Sequence, residues 1–170
     1  MSDAQQTASA SVTPVERRRV EAQGFLGLTD REIGQIKYWL RLSPAICMTW
    51  TACGTVLQSA PVLWALAPFA LLGALLPGHP FDLLYTFGIR RLTGEPALPP
   101  YPLPRRFACF LATLMIVGAA WSFQSGWVLA GQLFGWGLVG AALVNVTTGF
   151  CIPSFIYGLI FGAPGSCQIE

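Results

Sequence analysis

A chain of 170 residues with 54% hydrophobic and only 11% charged residues falls far below the roughly 25% charge of an ordinary water-soluble domain. Its charges all lie before residue 42, between Asp82 and Arg106, or at Glu170, so 42–81 and 107–169 carry none. The net charge of +2 comes with no basic stripe interleaved with aromatics, which argues against a nucleic-acid surface. The two uncharged blocks argue against a water-exposed surface, because a charge near a bilayer centre costs roughly 2.5–3.5 kcal/mol.

Residues 1–23 are rich in Ser, Thr, Ala and Gln, with Arg17, Arg18 and Arg19 near their end, and the segment 1–28 is taken with them. They read as a flexible cytoplasmic tail and not as a secretory leader, since the first apolar run begins only after Arg41. Residues 29–42 are expected to form a helix in the membrane interface. Thr29 and Glu32 have capping-box spacing, Ile33, Ile36 and Leu40 share a face, and Lys37, Tyr38, Trp39 and Arg41 suit headgroup depth. The same residues also fit a simple lead-in turn to the first span.

The apolar block that follows would make a single helix of about 50 Å, too long for a hydrocarbon core of roughly 30 Å. Gln58, Ser59, Ala60 and Pro61 break it into two spans, about 43–58 and 61–77. Pro44 and Pro61 then open helices, and Pro68 kinks the second. A re-entrant hairpin is the alternative. Residues 78–106 form a cytoplasmic loop, stiffened by five prolines between Pro96 and Pro104. Arg90, Arg91, Arg105 and Arg106 are expected there among lipid headgroups. Gln124, Ser125 and Gly126 divide the second block into spans at about 107–123 and 127–146. Phe150–Phe161 is too short to cross comfortably and is placed at the interface, ahead of a tail at 164–170.

The expected fold is therefore all-α: a polytopic membrane protein with four transmembrane helices in two hairpins, the membrane domain covering 43–163. All Lys and Arg precede the first span or lie between the second and third, which puts both termini on the cytoplasmic side. The two halves form a faint internal repeat. Each begins with a cysteine (Cys47, Cys109) and ends in an aromatic stretch, 79–88 and 149–158.

The strings HPFDLLYTFGIRRL at 79–92, PRRFACF at 104–110 and GFCIPSFIYG at 149–158 resemble a bacterial membrane-protein family, domain of unknown function 4395, over roughly 43–163. The resemblance implies a four-span domain of the bacterial cytoplasmic membrane and brings no established activity. Many members carry a Cys-x-x-Cys where this chain has Cys151-Ile152-Pro153-Ser154, so the second cysteine is Ser154 here.

Cys47, Cys109, Cys151 and His79 fall at one membrane depth in this scheme. They are the candidates for a thiol or metal site, Cys151 being the candidate catalytic residue, though equal depth alone assigns no metal. Cys53 reads as packing, and Cys167 as a tail thiol. With His79 the single histidine, paired-histidine haem ligation is excluded, and no cofactor is expected. Gly131 and Gly135 make a GxxxG step, followed by Gly140, for close helix packing within the chain or against another subunit. The spans hold no Asp, Glu, His, Lys or Arg, which disfavours a proton pump. The leading expectation is a non-catalytic accessory or assembly subunit of a membrane complex. Its partners would be the bilayer and other subunits or copies of itself. A thiol or sulfur oxidoreductase using Cys151 with a partner thiol is the alternative, and a small-molecule permease the third.

Overall fold

A computed structural model describes residues 12–89, 91 and 97–162. It is all-helical, with no strand among the described residues. Arg90, Cys167 and the tail at 164–170 lie outside them.

The first helix is α1 (Pro14–Ala22), in the segment expected to be a flexible tail. A local signal explains the difference. Thr13 caps α1 in a capping box with Glu16, and Pro14 stands at the first helical position. The second reason is tertiary: Val20 and Phe25 bury against Ile33, Ile36 and Leu40 in a small core of their own. Helix α2 (Asp30–Ile36) starts at the expected box, with the Thr29 N–H donating to Glu32 Oε2 at 2.8 Å. A 3₁₀ turn (Trp39–Arg41) then leads directly into α3 (Leu42–Val56).

Helix α3 turns at Leu57–Ser59, where Gln58 takes a positive φ of 49°, into α4 (Ala60–Leu75). A π-helical turn (Leu84–Ile89) follows. Helix α5 (Leu103–Gln124) passes through Ser125–Trp127, with Gly126 at φ 77°, into α6 (Val128–Thr148). Gly149, at φ 74°, ends α6 in the left-handed conformation that glycine adopts without a Cβ penalty. Helix α7 (Ile152–Phe161) completes the order and lies against α5.

Helix α4 packs along α5, and α6 packs against both α5 and α3, which closes a ring of four helices. Leu63, Leu66, Ala67 and Ala70 meet Ile116, Ala119 and Ala120 in the main core. Alanines and glycines let the backbones approach closely. A Cβ on Gly135 would come within 2.2 Å of Thr55 Oγ1, and one on Gly131 within 2.6 Å of Phe123, so this step packs inside the chain. Gly140 differs: nothing lies within 4 Å of its added Cβ.

Among the described residues two helices, α5 and α6, are long and apolar enough to cross a membrane, at 22 and 21 residues. Helices α3 and α4 have 15 and 16 residues. Helix α5 begins four residues before the expected span and takes Arg105 and Arg106 into its first turns, because Pro104 sits where the helix needs no N–H donor. In α6 only Gly131 and Gly135 are buried, while Leu129, Leu133, Trp136 and Leu143 are exposed. Cys53, expected as packing, is also exposed, because it faces away from the ring.

Candidate functional site

The start of α3, the end of α4, the start of α5 and the end of α6 all meet at one end of the ring. Cations gather there because helix C-termini leave carbonyls unpaired. Arg19 Nη1 donates to Thr148 O at 2.6 Å, and Arg41 Nη1 to Val146 O at 3.1 Å, both on the last turn of α6. Arg106 Nε donates to Ala74 O at 2.9 Å and closes α4 in the same way. Arg91 is exposed and lies over the Phe87 ring.

Arg105 departs from the expected headgroup position. It is buried at 5% exposure, and its Nη1 donates to Gln23 Oε1 at 2.8 Å while Nη2 donates to Leu40 O. It stacks over the Tyr101 ring at 4.5 Å and the Phe25 ring at 5.5 Å. The N-terminal segment makes this burial possible: Gln23 bridges Arg105 to Gly149 O, to which its Nε2 donates at 2.9 Å. Gly24, at φ 94°, lies against Pro102 and Pro104, where a side chain would collide.

Beside Arg105 is a cavity of about 110 Å³ whose wall is mostly apolar. Cys47 reaches it from α3, Cys109 from α5, and Cys151, the N-cap residue of α7, from the far side. Arg105 and Cys109 share a face of α5 at i,i+4 spacing. His79, Tyr101 and Asn145 line the same space. The residues expected at one depth therefore surround one cavity. As a metal set they do not assemble: among the described residues no three His, Cys, Asp or Glu side chains come together to hold an ion. Cys47 Sγ lies 3.8 Å from His79 Nε2.

His79 is held on several sides. Phe81 N donates to its Nδ1 at 3.3 Å, which leaves the ring proton on Nε2, toward Cys47. Gly73 gives the ring room, since a Cβ there would come within 2.3 Å of His79 Cδ2. Asp82 Oδ2 accepts the His79 N–H at 3.1 Å, and Ser43 Oγ donates to Asp82 Oδ1. Burial lowers the His79 pKa to about 4, against a smaller opposing pull from Asp82, so the ring is neutral at pH 7. Burial raises the Tyr101 phenol above its ordinary value, with Arg105 opposing and Asp82 adding to the rise.

Tyr101, Gln23 and Ser43 were not candidates from sequence. Tyr101 lies in the proline-rich connection and Gln23 in the supposed tail. The one local hint was an aromatic residue four positions before an arginine. Ser154, where relatives are expected to carry a second cysteine, is 1% exposed and donates from Oγ to Pro104 O at 3.2 Å. That bond ties α7 to the start of α5.

Searches of curated proteins and of solved structures returned no match. A family model described as domain of unknown function 4395 matches residues 37–161, which takes in α3 to α7 and the whole cavity wall except Gln23. The chain belongs to the domain of unknown function 4395 family.

Proposed function

We propose that this is a four-span protein of the bacterial cytoplasmic membrane, with both termini inside, that handles small sulfur-bearing molecules at the cavity between Cys47, Cys109 and Cys151. The observation that carries the proposal is the convergence of three thiols from three helices on one space, beside a buried arginine. Packing alone does not require three cysteines around an open volume.

The membrane placement has its own support. Helices α5 and α6 have the length and hydropathy to cross, and 11% of the apolar stretch of α6 is buried, whereas a soluble core helix would be mostly buried. Helix α4 runs along α5 and α3 along α6, so the shorter helices share the depth of the longer ones. Local thinning of the bilayer accommodates short spans at modest cost. Trp64, Trp121 and Trp127 are exposed toward the uncharged turns, and the arginines collect at the other end.

The reaction class that fits is thiol–disulfide exchange with a small disulfide. The Cys151 thiolate attacks one sulfur, a Cys151–S–S–R bond forms, the R–S–S–R bond breaks, and RS⁻ leaves. The test uses a Cys53→Ser, Cys167→Ser background, which removes the exposed thiol and the tail thiol. Purified in detergent and treated with oxidised glutathione or the smaller cystamine, this protein is expected to gain one adduct by intact mass. The further change Cys151→Ser should abolish it. An adduct that persists in Cys151→Ser, or no adduct with either disulfide, ends the thiol reading.

A second reading is an accessory or assembly subunit, favoured by the outward face of α6, where Gly140 has open space and Leu133, Trp136 and Leu143 are exposed. Blue-native separation after gentle extraction tests it: a monomer in every detergent counts against it.

A further inference from the structure

Among the described residues, Arg105 is a buried cation without a carboxylate partner. Its guanidinium has five N–H donors, and three hydrogen bonds engage it, to Gln23 Oε1, Leu40 O and Tyr101 Oη. All three acceptors are neutral groups. Among the described residues no carboxylate lies within ion-pair distance of it. Asp82 is held by Ser43 and by the His79 N–H. Buried charges are ordinarily paired, because taking an unpaired ion out of water is costly. Arg105 also lines the 110 Å³ cavity. We infer that the cavity binds a small, singly charged, weakly hydrated anion, with Arg105 as its countercharge.

The wall decides the class of anion. Arg105 is the one cation among the lining residues, so it matches one negative charge. Ile116, Leu138, Ala112 and Ala142 cannot replace the water shell of a strongly hydrated dianion such as sulfate. The thiols of Cys47, Cys109 and Cys151 are polarisable, which suits a soft anion. Asn145 adds a neutral amide donor on the same lining. The inference rests on the proposed cavity site but not on any reactivity of its thiols.

Labelled thiocyanate is the probe, measured by equilibrium dialysis against the detergent-purified full chain. The expected result is saturable binding at one per chain, competed by nitrate and not by equimolar sulfate at constant ionic strength. Non-saturable uptake by the unaltered protein, or equal competition by sulfate, overturns the inference. Ala142→Phe fills the space and leaves Arg105 in place, and Arg105→Gln removes the charge. Each is expected to weaken binding at least tenfold, provided it elutes as the unaltered protein does on gel filtration. Undiminished binding in folded Ala142→Phe also overturns the inference. Cys151→Ser separates the two claims: it should lose the mixed disulfide entirely, yet still bind thiocyanate saturably and more tightly than Arg105→Gln does. A protein that forms the adduct yet binds no thiocyanate would leave the thiol reading standing without the anion site.

Discussion

At the residue scale, His79 shows how burial sets chemistry. Its ring is enclosed by Gly73, Phe81 and Cys47, and the cost of charging it there outweighs the attraction of Asp82. Its folded pKa lies near 4, below the ordinary 6.5, so the unfolded chain takes up this proton first as pH falls. The stabilisation from keeping it neutral is complete above about pH 6.5 and is lost as pH falls toward 4. It amounts to at most about 3 kcal/mol. Thermal unfolding in detergent should show a falling midpoint between pH 7 and 4.5, and His79→Gln should flatten that fall. An equal fall in both proteins would refute the assignment. Glu16 titrates in a lower window: its hydrogen bond from Lys37 Nζ at 2.9 Å brings its pKa down to about 2. Its contribution is present above about pH 4.5 and disappears only below that, so the two groups are separable.

At the scale of elements, α6 carries two kinds of glycine. Gly135 leaves no room for a methyl group, since Thr55 is fully buried and its hydroxyl donates to Thr51 O at 2.8 Å. Gly135→Ala should therefore destabilise by about 1–3 kcal/mol, the usual cost of overpacking. Gly140→Ala meets open space and should be neutral, or stabilising by up to about 1 kcal/mol through helix propensity. Paired thermal melts compare the two, and equal losses would contradict this packing. The capping boxes at Thr13 and Thr29 make the same point for helix starts. Both are written in local sequence, yet α1 was read as tail because its residues are mostly polar and its burial depends on Phe25, Ile33 and Leu40.

For the whole molecule, the uneven charge predicts orientation. Alkaline phosphatase fused after Gln58 or Ser125 should be active outside the cytoplasmic membrane, and fused after Ala97 it should be inactive. Activity after Ala97 would invert the topology, and inactivity after Gln58 with activity after Ser125 would make the first hairpin re-entrant. Sequence alone determined the all-helical class, the break points of the apolar blocks, the α2 cap and the family. These follow from composition, turn residues and period, which act within a few residues along the chain. Tertiary structure alone decided that Cys47, Cys109 and Cys151 surround one cavity, and that Arg105 is buried where headgroup contact was expected. It also decided that Gln23 reaches across to Gly149 and that Gly140 faces outward while Gly131 and Gly135 do not. The reason is geometric: a helix fixes which residues share its face, but which faces meet is set by packing between segments far apart in the chain.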